Sequence, residues 1–275
     1  MKRPIITLTT DFGLNDHFVG AVKGVILGIT PEAEIVDICH AVQPFDILDG
    51  ALTIAQAYTY FPAGTVHLVV VDPGVGTDRR PIIASSERHH FIAPDNGVLS
   101  LIYAREERLH VHHVTAEHYF LQNVSNTFHA RDVFSPIAAY LAKRVAAEKF
   151  GPEISDFVRF NTPKPKAVNG NTLRGVILKV DRFGNLVTNI TAEDAPMLFE
   201  AQPPPFKMVI GKREITEVRL AYADGAPGEI FAIQGSMGYL EIAANRASAF
   251  QLLGVGKGTE VNVILEGAAA TSNGI

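Results

Sequence analysis

The sequence predicts an α/β protein: an N-terminal, mostly parallel sheet covered by helices, plus a smaller C-terminal antiparallel β-barrel-like domain. Three observations carry this. Strand-like and helix-like stretches alternate through the first 150 residues. The strand stretches there are near-continuous apolar runs, as expected of strands buried on both faces. Beyond residue 160 the alternation gives way to short strand-like runs separated by turns, the spacing of a small barrel or sandwich.

In order, "IITLTT" (5–10) reads as a strand and "HFVGAVKGVILGI" (17–29) as a helix with one apolar face. "AEIVDI" (33–38) is a strand and "FDILDGALTIAQAYTYF" (45–61) a long helix. "TVHLVVV" (65–71) is the clearest strand, being continuous, β-branched and bounded by Gly64 and Pro73. "PIIASS" (81–86) and "HHFIAP" (89–94) are shorter strands. "GVLSLIYA" (97–104) and "DVFSPIAAYLAKRVAAEKF" (132–150) read as helices, the second capped by Asp132. These form a first domain, 1–160, and the Pro-, Asn- and Lys-rich "NTPKPKAVNGNT" (161–172) reads as a linker. The second domain, 173–267, holds "LRGVILKVD", "LVTNI", "PFKMVI", "EIFAIQ", "YLEIAA" and "EVNVILE", and 268–275 reads as a frayed tail.

Composition narrows the function. Of 275 residues, 47% are apolar and 19% charged, enough for a sizeable core. The formal net charge is −5 and no basic block occurs, which argues against a nucleic-acid partner. Cys39 is the only cysteine, so an internal disulfide is excluded and a reducing cytoplasm fits. The opening "MKRPIITLTT" lacks a signal-peptide pattern, and no apolar run nears the roughly 20 residues of a membrane span. With no tryptophan, an aromatic clamp must use Phe or Tyr.

In an open parallel sheet, ligands bind beyond the carboxyl ends of the strands, and polar clusters fall where such ends are expected. "TTDFGLNDHF" offers Asp11 and Asp16, "VVVDPGVGTDRRP" offers Asp72, Arg79 and Arg80, "APDNG" offers Asp95 and Asn96, and "SNTFHARD" offers His129 and Arg131. Taken singly, each has a plainer reading. Asp11 fits an Asx turn or a cap, Asp72–Pro73 an ordinary turn, and Phe45 a hydrophobic staple or core residue. The Gly74–Val75–Gly76 triplet lacks the third glycine of a dinucleotide loop. His110 and His112 in "LHVHHV" have metal-ligand character, yet fit a strand with a solvated face better, since no companion motif accompanies them.

Together, "TDFGLNDHFVGAVKG", "VVVDPGVGTDRRP", "NTFHARDVFSP", "VDRFGNLVTN" and "GSMGYLEIAAN" resemble the S-adenosylmethionine (SAM) hydroxide adenosyltransferase family, the adenosine-forming SAM hydrolases related to fluorinating and chlorinating enzymes. The resemblance runs over roughly residues 1–265. It implies SAM as substrate, with adenosine and L-methionine as products, no cofactor and no metal. It also implies a homotrimer whose sites lie between the N-terminal domain of one subunit and the C-terminal domain of the next. The family's water-handling Asp–Arg–His set falls on Asp72, Arg79 and His129; the motif selects Arg79 over its neighbour Arg80. Where halogenases carry Tyr and Thr, this chain has Asp72 and Val75, and their extra N-terminal loop is absent. By the same resemblance Asp11 would bind the ribose hydroxyls, Asp16 would sit near the methionine amino group, Phe45 would flank the nucleoside and Phe128 would line the pocket. Asp181 and Ser236 would hold the amino-acid end. Phe183, Asn185 and backbone around Ala244 would meet the adenine, and Met237, an arginine in halogenases, would contribute backbone.

This chemistry suits those residue types. The sulfonium leaves as a neutral thioether, so the difficulty lies in activating water. Either Asp72 or His129 can serve as the base. Three other readings stand beside this one: a halide-dependent 5′-halo-adenosine synthase, a metal-dependent phosphoesterase using Asp11, Asp72, Asp95 and His129, and a non-catalytic SAM- or adenosine-binding protein.

Overall fold

The computed structural model describes residues 3–200 and 204–265, so the expected tail, 268–275, lies outside the described residues. The chain divides into two units, Met1–Asn161 and Thr162–Ile275.

The first unit is built on a six-stranded sheet in the order β2-β1-β3-β5-β4-β6. Its strands are β1 (Ile5–Thr10), β2 (Glu34–Cys39), β3 (Thr65–Val70), β4 (Pro81–Ser85), β5 (His89–Pro94) and β6 (His110–His113). The pairs β2/β1, β1/β3 and β3/β5 are parallel, while β4 runs antiparallel to both β5 and β6. Only three residues separate β4 from β5, and so short a connection can reverse the chain but cannot carry a parallel crossover. The helices are α1 (Phe18–Ile29), α2 (Ile47–Ala57), α3 (Ser100–Arg105) and α4 (Ser135–Ala142). Side-chain alternation along the strands builds two cores. Ile6, Leu8, Val66, Leu68 and Val70 join Val22, Ile26 and Ile137 on one face. Val69, Val71, Ile82 and Phe91 join Ile54, Leu99 and Ile102 on the other.

Several element bounds differ from the sequence expectation for local reasons. The expected helix 132–150 is interrupted. Ala130–Phe134 form a π turn, α4 spans only Ser135–Ala142, and a 3₁₀ turn covers Ala147–Lys149. Arg144 adopts φ +66°, which a helix cannot continue through. Asp132 therefore does not cap a helix; it sits in the π turn and accepts from Ser125 N–H at 2.8 Å. The "LHVHHV" strand lacks a common solvated histidine face. His110 is exposed and lies 2.8 Å from Glu153, but His112 is buried, and residues 152–154 pair by backbone alongside this strand.

The second unit is one curled, largely antiparallel sheet, ordered β11-β10-β15-β8-β9-β14-β13-β12 with β7 on β8. Its strands are β7 (Lys166–Val168), β8 (Thr172–Val180), β9 (Leu186–Thr191), β10 (Phe206–Ile210), β11 (Arg213–Ile215), β12 (Val218–Arg219), β13 (Ile230–Gln234), β14 (Tyr239–Ala244) and β15 (Glu260–Leu265). The stretch 161–172, expected as a linker, thus holds β7. Strand β8 changes partner midway. Thr172–Val176 pairs with β15 and Ile177–Val180 with β9. Gly175 permits the close crossing, since a Cβ there would stand 2.6 Å from Asn189 Oδ1. Short helix α5 (Ala249–Leu253) packs on β14. Among the described residues, no helix is long and apolar enough to cross a membrane.

A buried polar chain crosses the first sheet. Thr7 Oγ1 lies 2.7 Å from His67 Nδ1, and His67 Nε2 lies 3.3 Å from His89 Nδ1. Burial, with like-charge repulsion from His89 and His90, pushes the His67 pKa down to about 3. The unfolded chain takes up a proton at this ring below about pH 6.5. The folded chain does so only near pH 3. The neutral ring's contribution is therefore complete above about pH 6.5 and is lost as pH falls toward 3. In urea melts, His67→Asn should remove roughly 2.5 kcal/mol of the stability loss between pH 7 and 4.5; an unchanged pH slope would exclude this origin.

Candidate functional site

Strands β1 and β3 are adjacent and parallel, with Thr10 paired to Val70. The chains leaving them therefore emerge side by side, one into Asp11 and the other, after Val71, into Asp72. The two carboxylates sense each other. Burial raises the Asp11 pKa above the ordinary carboxylate value and the Asp72 charge adds to the rise, against hydrogen bonds to backbone N–H groups. Asp11 Oδ2 accepts from Phe45 N–H at 2.9 Å. Phe45 holds φ +66° and leaves its ring 73% exposed. The staple or core reading of Phe45 is thus incorrect: the left-handed backbone that delivers its N–H to Asp11 turns the ring outward. A bulky residue with positive φ is uncommon, and such strain clusters at functional sites.

After Asp72 the chain makes successive tight turns, Val75 N–H to Asp72 O and Thr77 N–H to Gly74 O, which return Arg79 to the carboxylate. Arg79 Nε donates to Asp72 Oδ1 and Oδ2 at 3.1 and 2.9 Å, and Nη2 donates to Oδ2 at 2.6 Å. The same Nη2 lies 2.8 Å from His129 Nδ1. The guanidinium also stands 5.3 Å from the centre of the Phe134 ring. The Asp72 and Arg79 side chains are 5% and 9% exposed. Gly76, at φ +79°, lets this loop touch the one before His129; a Cβ there would stand 2.2 Å from Asn126 O. Asp72, Arg79 and His129 are therefore one hydrogen-bonded cluster assembled from two loops in contact.

Hydrogen-bond direction fixes the tautomer. A guanidinium only donates, so His129 Nδ1 is bare and the neutral ring carries its proton on Nε2. Burial, then the Arg79 charge, lowers the His129 pKa below the ordinary imidazole value, against the opposing pull of Asp72 and Asp132. Arg79 and His129 border a cavity of about 800 Å³ that also meets Thr77, Gln122 and Val133.

Arg80 also borders this cavity, but its guanidinium is engaged with other carboxylates. It binds Asp95 Oδ2 at 2.6 Å and Asp156 Oδ1 at 2.8 Å, while Asp95 also accepts from Val158 N–H. Asp95 thus anchors the end of this unit, and the four-residue phosphoesterase set loses a member to that role. Among the described residues, no group of three His, Cys, Asp or Glu is arranged to hold a metal ion. Asp16 is exposed beside α1. Phe128 is 8% exposed, its ring packed edge-on against Phe12 and Phe18 and under Arg131.

In the second unit, Asp181 organises the turn between β8 and β9. Its Oδ1 accepts from the N–H groups of Phe183 and Asn185, and its Oδ2 from Asn185 Nδ2, each at 2.8 Å. Phe183 is 78% exposed and Asn185 is buried. Ser236 and Met237 lie on the turn before β14, with Ser236 exposed, and Ala244 ends that strand, buried. Sequence reasoning passed over Glu241. It is 5% exposed and lies 3.3 Å from the Tyr222 hydroxyl, and burial, with the Asp181 charge, raises its pKa. A charged residue within the apolar run "YLEIAA" was the available signal.

The chain matches the SAM hydroxide adenosyltransferase N-terminal domain over residues 6–151 and the C-terminal domain over 175–262. It is 37% identical to an (R)-S-adenosyl-L-methionine hydrolase of Salinispora tropica, covering 94% of this chain and 97% of that one. It is 35% identical to a protein of the same name from Thermus thermophilus (95% and 100% covered), and 31% identical to a fluorinase of Nocardia brasiliensis (90% and 92%). A crystal structure of a conserved protein from Thermotoga maritima superposes with a TM-score of 0.87 at 35% identity, covering 94% of this chain and 99% of that one.

Nitrogen-15 NMR of the imidazoles should find His129 as the Nε2–H tautomer, titrating below the ordinary value of about 6.5. Arg79→Gln should move that titration upward, because it removes a cation and leaves the Asp72 anion. A downward move, or a proton on Nδ1, would contradict the assigned hydrogen-bond direction.

Proposed function

The chain belongs to the SAM hydroxide adenosyltransferase family, and on that premise we propose that it hydrolyses S-adenosyl-L-methionine to adenosine and L-methionine. The observation that carries the reading is the Arg79 Nη2 group shared between Asp72 and His129, beside a second carboxylate, Asp11, whose pKa the Asp72 charge helps to raise.

In this reading water attacks the ribose 5′ carbon in line with the departing sulfur. The C–S bond breaks, its electron pair stays on sulfur, and methionine leaves as a neutral thioether without a general acid. The burden falls on the nucleophile. The Arg79 cation favours hydroxide character in a water held at the cluster. His129 Nδ1 is occupied by an Arg79 N–H, so its Nε2–H is a donor that orients the water. That assignment favours Asp72 as the proton acceptor: among the described residues its Oδ1 takes only an Arg79 Nε contact, at 3.1 Å, and keeps a lone pair. Orientation within about 3–3.5 Å of the carbon supplies much of the remaining acceleration. Asp11 suits the ribose because one carboxylate accepts from two neighbouring hydroxyls, and Phe45 offers an exposed ring for the nucleoside.

By family resemblance the amino-acid end is assigned to Asp16, Asp181 and Ser236 and the adenine to Phe183, Asn185 and backbone around Ala244, with Phe128 lining the pocket and Met237 contributing backbone. The same proposal covers a homotrimer in which residues of neighbouring copies complete each site, catalysis without metal or cofactor, and a cytoplasmic location suited to the single Cys39.

Incubation with SAM in oxygen-18 water should give adenosine labelled at the 5′ oxygen, detected by mass spectrometry. Unlabelled adenosine, or a 5′-halo-adenosine in the presence of halide, would overturn the reaction. Asp72→Asn should lower kcat at least about 100-fold, the scale of a lost general base, with SAM affinity by calorimetry within about threefold. Near-normal turnover would remove Asp72 from that role.

A further inference from the structure

Beneath Asp11 lies a buried polar pair that the proposed reaction does not use. Thr10 is 2% exposed and His40 6%. Thr10 Oγ1 accepts from Phe12 N–H at 3.3 Å and lies 2.8 Å from His40 Nδ1. On the far side of the ring, His40 Nε2 lies 3.1 Å from Asp37 Oδ1, which is itself in a carboxylate held by Lys23 at 2.6 Å. The approach to Asp37 is off-line, so this contact is electrostatic more than a directed hydrogen bond. A carboxylate beside Nε2 keeps the proton of the neutral ring there. Nδ1 is then bare, and the Thr10 hydroxyl donates to it. The His40 carbonyl also accepts from Gly13 N–H at 2.7 Å.

The turn Thr10–Gly13 that carries Asp11 is therefore tied to the segment 40–45 at three points: Thr10 to the His40 ring, Gly13 to the His40 carbonyl, and Asp11 to Phe45 N–H. Neither of the last two uses the side chain at 40, so any residue there would keep them. Only the ring contact depends on histidine. We infer that His40 is a positioning residue for ribose recognition: through Thr10 it fixes the turn that aims the Asp11 carboxylate at a pair of vicinal hydroxyls. This rests on the ribose role proposed for Asp11. A purely structural role fits the pair less well, because replacing both partners of a buried hydrogen bond by apolar groups of similar shape is close to neutral for stability.

Calorimetry of the full chain with adenosine and with 2′-deoxyadenosine tests the inference. Wild type should prefer adenosine; absence of that preference removes the ribose role of Asp11 and this inference with it, and is recognisable as that failure because it needs no variant. The double variant Thr10→Val/His40→Phe should lose about fivefold of the preference, the scale of one neutral hydrogen bond. Its melting temperature should stay near wild type, and its KM for SAM should rise more than kcat falls. His40→Asn, whose amide oxygen can accept from Thr10 in place of Nδ1, should retain most of the preference. If the double variant does not fold, Thr10→Val alone should show the same loss. Preference retained without the Thr10–His40 bond, or lost equally in His40→Asn, would overturn the inference.

Discussion

The site depends first on the parallel ladder between β1 and β3. Thr10 faces Val70 across that ladder, so the two strands release their chains at one level and one strand spacing apart, about 4.8 Å. Nothing in the loops could bring Asp11 and Asp72 together if the register slipped, because a one-residue slip turns every side chain to the opposite face. The register is secured by burial on both faces. Ile6 and Leu8 face one core while Thr7 and Thr9 face the other, and all four are fully buried. The same ladder explains why functional groups collect at one edge of the sheet. The carboxyl ends of β1, β3 and β5 lie side by side, and Asn96, just beyond β5, reaches back to donate to Val71 O at 2.8 Å.

Placing charges at that edge is unfavourable in isolation. A buried ion pair gains little stability, because desolvation offsets its Coulomb attraction. What the Asp72–Arg79 pair gains is shape. The bidentate fork, the Phe134 ring and the His129 nitrogen leave the guanidinium no alternative orientation. With His129 neutral, the cluster holds one cation and one anion, and Asp11 adds a further carboxylate nearby. That balance suits a cationic sulfonium, while the internal cation stays next to the group that would activate water. The arrangement also keeps the two arginines of "TDRR" distinct. Arg80, drawn off by Asp95 and Asp156, cannot compete for Asp72.

Much of this was legible in the sequence because it rests on local pattern. The strands at 5–10 and 89–94 and the helix beginning near 17 follow from apolar period and punctuation, and the clustering of polar motifs after strands follows from sheet topology. Other features were set by tertiary context. The helical period from 132 to 150 is genuine, yet Arg144 in a left-handed conformation and the π turn at 130–134 shorten the helix to eight residues. His112 looks solvated by alternation, but it is buried in a strand that pairs with residues 152–154, about forty residues on. The outward ring of Phe45 was hidden for the same reason, since its backbone is fixed by a carboxylate 34 residues earlier. The Thr10–His40 pair left no local trace, because neither residue type at its position departs from what a strand end allows.

Phe45 shows how such long-range constraints combine. A non-glycine residue in the left-handed region costs on the order of 1 kcal/mol or more, and a phenyl ring left in water forgoes roughly 2 kcal/mol of burial. Both penalties fall on one residue. The hydrogen bond from its N–H to a carboxylate offsets part of the first, being charge-assisted and therefore stronger than a neutral one. The second has no compensation within the chain as it stands, since the ring is 73% exposed. A ligand that covers the ring while satisfying the partly buried Asp11 carboxylate would recover both terms at once, and a nucleoside, with a flat apolar face and two adjacent hydroxyls, has that combination. On the proposed reading, the strain at Phe45 and the raised pKa of Asp11 would be two parts of one preorganised site, each unfavourable alone and offset when the same molecule meets both.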